Sequence, residues 1–514
     1  MGDFLKHECG IAVVRLKKPL PYYHDKYGTA LYGFNKLFLL MEKQHNRGHD
    51  GIGVGCVKLN MELGDPYIFR ERSASRDSLT VVFKQLMDRY YQACKRRDID
   101  PEDPTNVSRY FDFGGEVLMG HLRYGTSGEF EEGSCHPFLR RSNWETRSLM
   151  VLGNFNMANA PELNRKLVER GQHPVFGTDT QTVLEEIGFF LDQAHQNIYR
   201  RSKVNKVPGT EIPGLISERL HMPRLLRKAS KIWDGGYAIA GAVGNGDAFV
   251  MRDPNGIRPA FYFENEDFVG FASERVPLMT VFELEKEEVS EVPAGHVVSI
   301  KNTGEVTVER FADEKPKTPC SFERIYFSRG NDPEIYKERK ELGRLLADPI
   351  LKSIDHNLSD TVFSFIPNTA DVAYHGMMGG LREYRRNKVK SGDMDVLIKT
   401  PSVRNNSIYR RFLKALVNED YIADILSCGN KKFMGVSNQY LGKFVENGGI
   451  HRRIDIMYTK PDEYPFAILY FTGSKEFNVK MRAELLKQGL TLNEYSLKHT
   501  ETKKKVDHVF KDEM

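Results

Sequence analysis

Glu383-Tyr-Arg-Arg-Asn-Lys-Val-Lys-Ser-Gly-Asp393-Met-Asp395-Val-Leu397 divides this 514-residue chain into two unlike parts. The run from Asp393 to Ile398 reads as a strand. Residues two apart on a strand share a face, so the Asp393 and Asp395 carboxylates stand together. Their mutual repulsion is relieved either by a divalent cation or, on an exposed strand edge, by water alone. Spacing leaves both readings open.

The charge distribution changes across the same stretch. Residues 381–514 carry 25 Lys and Arg against 17 Asp and Glu, a net of +8, whereas residues 1–380 carry 49 against 53, a net of −4. The basic tail therefore suits a polyanionic partner such as nucleic acid or nucleotide phosphates, or is simply a basic surface. The length implies two or three domains. A hydrophobic content of 40% with 28% charged residues fits a soluble globular protein. No apolar run reaches membrane-spanning length, and the first eight residues do not form a signal peptide. Six scattered cysteines without a Cys-x-x-Cys pair suit a reducing, cytoplasmic setting.

Upstream of the junction the chain opens with a strand-like run from Cys9 to Leu16. A helical apolar spacing follows over residues 29–44, then the polar glycine-rich loop Gln44-His-Asn-Arg-Gly-His-Asp-Gly51. Strands are expected at 116–128 and 148–153, and a helix from Asp179, capped by that residue or a neighbouring threonine, to about residue 199. Three strand–turn–strand signals follow, around residues 244–247, 264–267 and 302–304. Antiparallel strands with a few long helices imply an α+β layered architecture. Farther on, helices are expected over 333–354 and 370–381, with a buried strand over 361–367. A cysteine at the head of a strand is either a small buried hydrophobe or a nucleophile. Removal of residues 1–8 would give Cys9 its own free amine as a base.

Cys9-Gly10-Ile11, Gln44-His-Asn-Arg-Gly48, Gly120-His-Leu-Arg-Tyr124, Gly153-Asn-Phe-Asn156 and Thr178-Asp-Thr180 follow the order seen in N-terminal-nucleophile glutamine amidotransferases. Arg252-Asp-Pro-Asn-Gly-Ile-Arg-Pro259, Ala272-Ser-Glu-Arg275 and Cys320-Ser-Phe-Glu-Arg-Ile-Tyr-Phe-Ser-Arg329 narrow the likeness. Residues 6–382 resemble amidophosphoribosyltransferases, which open purine synthesis from glutamine and phosphoribosyl pyrophosphate. The resemblance implies an αββα sandwich over 9–310 and the start of an α/β phosphoribosyltransferase domain over 311–382. It casts Cys9 as the nucleophile, Asn154 and the Phe155 backbone N–H as oxyanion donors, Arg123 as the partner of the glutamine carboxylate and Asp179 as that of its ammonium. Where the family usually has Gly, this chain has Phe155. It has no Asp-Asp pair and no Gly/Thr phosphate loop after residue 361, so the transferase part reads as cut off before its binding motif. Cys320 matches an iron–sulfur ligand of some relatives, but the downstream cysteine pair is absent and no cluster is expected.

Downstream, helix 405–418 and strands at 421–426, 432–436 and 451–456 are expected, the last carrying a third carboxylate, Asp455. Tyr470-Phe-Thr-Gly-Ser474 opens a helix bearing Asn478 and Arg482, and Asn493-Glu-Tyr495 falls in the next strand. Arg385-Arg386, Ser391-Gly-Asp-Met-Asp395, His451-Arg-Arg-Ile-Asp455 and Tyr470-Phe-Thr-Gly-Ser474 resemble family X DNA polymerases, the polymerase beta group. This implies a nucleotidyltransferase-like palm over 383–459 and a small α/β nucleotide-selecting subdomain over 460–514. Asp393, Asp395 and Asp455 would hold two Mg²⁺ ions. Arg386 would contact the nucleotide phosphates, Tyr470, Phe471, Gly473 and Asn478 the incoming nucleotide, and Arg482 the DNA template. The family's Gly-Ser before the aromatic-Arg-Arg is here Arg382-Glu383. A glutamate at a helix start that grips a triphosphate would repel it.

Three functions are thus in view: glutamine hydrolysis by the head, Mg²⁺-dependent nucleotidyl transfer to DNA by the tail, or a fusion in which neither works. The expected partners are glutamine and, through the basic tail, a nucleotide triphosphate and DNA, with no membrane. The ammonia acceptor and the oligomeric state stay open.

Overall fold

The computed structural model describes residues 9–75, 78–124, 132–173, 178–313, 315–367, 369–390, 394–399, 407–419, 421–428, 432–437 and 452–507. They fall into two compact units, Met1–Glu341 with Ser364–Ala373, and Leu342–Phe363 with Tyr374–Met514.

Two antiparallel sheets build the first unit. One orders its strands Ser290–Glu291, Phe261–Glu264, Phe268–Ala272, Gly10–Leu16, Val117–Leu122, Ile52–Val57 and Ile68–Ser73. The other orders Val306–Arg310, His296–Ile300, Ala248–Arg252, Gly235–Val243, Leu149–Met157 and Phe138–Arg140. The period-2 alternation of the strands decides what each face meets. Ile11 and Val13 point between the sheets, packing with Met150, Leu152, Ala238 and Ala240. Their neighbours Ala12, Val14 and Leu16 face Leu37, Leu40 and Met41 of the helix Tyr32–Lys43. On the far side Val151, Ile239 and Met251 meet Val183, Ile187 and Leu191 of the helix Asp179–Val204. The result is the expected αββα order. Both faces of each sheet are covered, which is why the central strand Gly10–Leu16 is buried at every position.

All three hairpin-like pairs of the sequence form, as Gly235–Val243 with Ala248–Arg252, Phe261–Glu264 with Phe268–Ala272, and His296–Ile300 with Val306–Arg310. The helix after the glycine-rich segment starts at Asp179, but its cap is Thr178, whose hydroxyl accepts from the Gln181 N–H at 3.4 Å.

Two expectations for the middle of the chain fail. The helix expected over 333–354 is two, Pro333–Leu345 and Ala347–Ser353. Pro349 has no N–H to donate to the carbonyl of residue 345, so it suits the first turn of a new helix and not the interior of a long one. The buried strand expected over 361–367 is not a strand. Val362 is 94% exposed and Ile366 84% exposed. The apolar alternation is present, yet no strand among the described residues pairs with it, and an apolar run without a ladder partner stays an extended segment.

In the second unit a four-stranded sheet runs Met394–Lys399, Arg452–Thr459, Lys432–Ser437 and Ile422–Cys428, the first pair parallel and the others antiparallel. The helix Ser407–Asn418 lays Tyr409, Leu413 and Leu416 on Ile422, Ile454, Ile456 and Tyr458, and the Tyr409 hydroxyl donates to the Ile456 carbonyl at 3.0 Å. Helices Tyr464–Thr472 and Lys475–Lys487 lead to the hairpin Leu490–Asn493 and Ser496–His499. Asn493-Glu-Tyr495 is not all strand: Asn493 Oδ1 accepts from the N–H groups of Tyr495 and Ser496 at 3.1 and 2.9 Å, a side-chain turn that ends the strand. The helix expected over 370–381 extends much farther, as Asp371–Lys390. Its Gly380 lies so close to the helix Ala347–Ser353 that a Cβ there would stand 2.7 Å from the Ala347 Cβ.

Candidate active site

Cys9 stands immediately before the central strand of the larger sheet and is 3% exposed. The register Gly10↔Leu122 places the neighbouring positions, Cys9 and Arg123, at the same strand ends. Arg123 is buried, and its Nη1 has no partner among the described residues. A buried guanidinium nitrogen without an acceptor is an anion-binding group in waiting.

The turn that follows the first long helix fixes the start of the central strand. The Gln44 amide donates to the Ile11 carbonyl at 3.2 Å and accepts from the Ser273 N–H at 2.9 Å, and the Ser273 hydroxyl accepts from the Ile11 N–H at 3.0 Å. Arg47 Nε donates to the Cys9 carbonyl at 3.4 Å. Gly48 is needed beside it: a Cβ there would lie 2.5 Å from the Arg123 carbonyl oxygen. Arg47 is fully buried; its Nη2 donates to both Glu323 carboxylate oxygens, at 2.6 and 2.5 Å, while its Nη1 reaches Glu274 at 3.4 Å. Arg258 approaches Glu323 at 3.7 Å. Two buried arginines thus face two buried glutamates, and such a cluster persists only because each charge has an opposite one beside it.

Asn154 and Phe155 lie on the strand Leu149–Met157, with Asn154 wholly buried. The Asn154 amide nitrogen donates to Glu323 at 2.9 Å, and its Oδ1 has no partner among the described residues. A carboxylate only accepts, so Glu323 dictates which way that amide faces. Phe155 pairs with Tyr237 in regular strand backbone and has no positive φ. The side chain standing where relatives have glycine is therefore accommodated without strain. Two stacked imidazoles, His121 and His136 with centroids 4.0 Å apart, hold the preceding residue. His121 Nε2 lies 3.2 Å from the Gly153 carbonyl, and His136 Nδ1 accepts from the Gly153 N–H at 3.1 Å. That acceptance puts the neutral His136 proton on Nε2, which faces the Thr180 hydroxyl at 2.8 Å. Asp179 begins its helix and accepts from the Met157 N–H at 3.3 Å, tying the helix start to the end of the Asn154 strand.

Cys9, Arg123, Asn154, Phe155 and Asp179 therefore lie at strand and helix ends that these contacts tie together. The sequence singled out all five but gave no role to Arg47, Glu323, Glu274 or His136. The motifs around the first three were visible, but a pairing between residues 276 positions apart has no local sequence signal. Residues 1–8 and 125–131, and with them the question of the free amine, lie outside the described residues.

The tail presents a second constellation. In the parallel pair of strands Asp395 stands directly opposite Asp455. Asp455 is nearly buried and Asp395 exposed. Two oxygen donors in register suit a hard divalent cation. Asp393 and the side chain of Arg386 lie outside the described residues, and the latter's backbone belongs to the helix Asp371–Lys390. Among the described residues no group of three metal-ligating side chains occurs. Tyr470 and Phe471 are more than a third exposed at the end of the helix Tyr464–Thr472. Ser474 caps the next helix by accepting from the Phe477 N–H at 3.1 Å. The Asn478 amide nitrogen is engaged by the carbonyls of Tyr470, Gly473 and Ser474, at 3.0–3.2 Å, so it locks this turn. The Arg482 guanidinium lies over the Tyr470 ring at 5.0 Å. Arg382 and Glu383 are interior residues of the helix Asp371–Lys390, so no helix N-terminus forms at them.

Residues 356–461 match the family model of the DNA polymerase beta palm, and residues 467–513 that of the DNA polymerase beta thumb. The amidophosphoribosyltransferase of Pasteurella multocida is 26% identical over 349 residues, covering 65% of this chain and 64% of its own. That of Escherichia coli is 27% identical over 288 residues, covering 54% and 52%. The chain thus spans from about half to 64% of the length of these relatives. A glutamine phosphoribosylpyrophosphate amidotransferase from B. subtilis, complexed with ADP and GMP, superposes with a TM-score of 0.48 at 18% identity, over 80% of this chain and 79% of that one. Among the described residues no helix is long and apolar enough to cross a membrane.

Proposed function

We propose that residues 9–310 hydrolyse the side-chain amide of glutamine, with Cys9 as the nucleophile. The observation that carries this is the link through Arg47 and Glu323 between a buried cysteine, beside a buried arginine with an unpaired nitrogen on one sheet, and a buried asparagine on the other. The Cys9 sulfur attacks the amide carbon. The oxyanion that forms is held by the Asn154 amide and the Phe155 N–H. The carbon–nitrogen bond breaks, ammonia leaves with the thiol proton, and water hydrolyses the thioester to glutamate. Arg123 takes the substrate carboxylate in a fork and Asp179 its ammonium. The base is the α-amine of Cys9 once the leader is removed, a role resting on the resemblance to N-terminal-nucleophile enzymes.

Phosphoribosyl transfer is not part of the proposal, because the chain has no Asp-Asp pair and no Gly/Thr phosphate loop after residue 361. A glutamine-analogue alkylator, 6-diazo-5-oxonorleucine, tests the assignment. One equivalent is expected on Cys9 by peptide mass, with protection by glutamine. Labelling elsewhere, or labelling that glutamine does not slow, contradicts it.

A second reading, Mg²⁺-dependent nucleotidyl transfer to DNA by the tail, is favoured by the Asp395–Asp455 register and the palm and thumb matches. Asp395 and Asp455, with Asp393, would hold the metal, which would neutralise phosphate charge in an in-line displacement. Tyr470, Phe471 and Arg482 would meet nucleotide and template. Against it stands the continuous helix through Arg382 and Glu383, which offers triphosphate no N-terminal grip.

A further inference from the structure

The first unit contains a cavity of about 250 Å³ lined by Arg201, Arg219, His221, Arg224 and Lys228. No carboxylate lines it. The four arginine and lysine side chains make no hydrogen bond or ion pair among the described residues. The contrast is with another basic cavity of the same unit, of about 330 Å³. There Arg252 meets Glu291 at 2.8 Å, Arg275 meets Glu334 at 3.1 Å, Lys317 meets Glu291 at 3.0 Å and Arg324 meets Glu338 at 2.7 Å. The first cavity also departs from the charge of the head, which is net negative.

The cations stand on fixed supports. Arg201 shares a stripe of the helix Asp179–Val204 with Gln193 and Asn197, at successive four-residue steps. Arg219 ends the helix Ile212–Arg219, and the turn after it is pinned from beneath. The Lys301 ammonium, paired with the buried Asp247 at 2.8 Å, donates to the carbonyls of Ser217 and Leu220 at 2.9 and 3.0 Å. Arg224 and Lys228 are four apart on the helix Met222–Ala229, where like charges repel. His221 Nδ1 accepts from the Arg224 N–H at 3.3 Å, which orients its ring, and Nε2 lies 3.7 Å from Glu309. Phe190, Ile198 and Leu225 supply an apolar part of the wall.

We propose that this cavity binds a small organic phosphate, a dianionic monoester whose phosphate lies among Arg219, Arg224 and Lys228 and whose body covers Phe190, Ile198 and Leu225. Guanidinium groups match phosphate in a fork, and here they project from helices whose backbones are fixed. A phosphate monoester carries nearly two negative charges at neutral pH, enough to relieve the repulsion among these cations. The confined volume suits a single ester better than a nucleic-acid strand, which needs a basic track along its backbone. The site is independent of the glutaminase reading.

Calorimetric titration of the full chain with phenyl phosphate tests this, with inorganic phosphate and a thymidine dodecanucleotide as comparison ligands. One site per chain is expected, tighter for phenyl phosphate than for inorganic phosphate. The exposed double substitution Arg219→Gln with Arg224→Gln should leave the melting temperature unchanged and weaken phenyl phosphate by roughly tenfold or more, and Lys228→Gln should weaken it less. Affinity unchanged in the double variant, or no saturable binding, overturns the proposal. So does an oligonucleotide that needs the same arginines and is not displaced by phenyl phosphate.

Discussion

Glu323 is the residue on which the proposed glutaminase site turns. It accepts from Arg47, which holds the Cys9 carbonyl, and from Asn154, the assigned oxyanion donor. One carboxylate therefore positions groups on both sheets. Glu323→Gln keeps an acceptor but can turn its own amide toward either neighbour, so the Asn154 orientation is no longer dictated. Misplacement of an oxyanion donor by a fraction of an ångström should lower kcat for glutamine hydrolysis by about 10- to 100-fold. Arg123 and Asp179 would be untouched, so KM should stay within about twofold. A rise in KM with unchanged kcat would place Glu323 in substrate binding instead. The sequence displayed Cys9, Asn154 and Arg123 through short motifs. Glu323 stayed hidden because its role depends on a contact closed only by folding.

At the scale of elements, alternation made the strands legible. Ile11 and Val13 against Ala12 and Val14 already separate the two faces that the sheet packing uses. Breaks were harder to read: the one at Pro349 follows from the missing N–H and not from apolar periodicity, and the unpaired run 361–367 depends on the lack of a partner strand among the described residues. The helix Asp179–Val204 carries a cost of its own. His195 is 1% exposed, neither ring nitrogen has a partner among the described residues, and Trp144 meets it edge-on at 4.8 Å. Burial, aided by the Arg147 charge, lowers its pKa from 6.5 to about 4. The folded state therefore holds it neutral while the unfolded chain protonates it. That stability is present above pH 6.5 and is lost as pH falls toward about 4. His195→Leu should flatten the decline in melting temperature between pH 7 and 5 relative to wild type. An equally steep decline would contradict the assignment. In the tail, Ser474→Ala removes the acceptor of the Phe477 N–H and should cost about 1 kcal/mol in urea unfolding. No change would mean that the cap contributes nothing there.

At the scale of the molecule, the net charge changes from −4 over residues 1–380 to +8 over residues 381–514, which suits a polyanionic partner for the tail or is simply a basic surface. The palm match reaches back to residue 356, so it overlaps the stretch that resembles the start of a transferase domain. The helix Asp371–Lys390 runs through the junction without interruption. Sequence showed Arg382-Glu383 in place of Gly-Ser, and the continuous helix gives the physical meaning of that change. The two readings call for separate outcomes. Asp455→Asn should abolish any Mg²⁺-dependent primer extension while leaving glutamine hydrolysis intact. Loss of both together would mean that the substitution damages folding beyond the sheet it sits in.

The central claim is that Cys9 makes the head a glutaminase. Glutamate release from glutamine, measured on protein shown by intact mass to begin at Cys9, tests it most directly. The account predicts steady release by the wild type and none above background by Cys9→Ala. Equal release by both proteins, or none by the wild type, would contradict it.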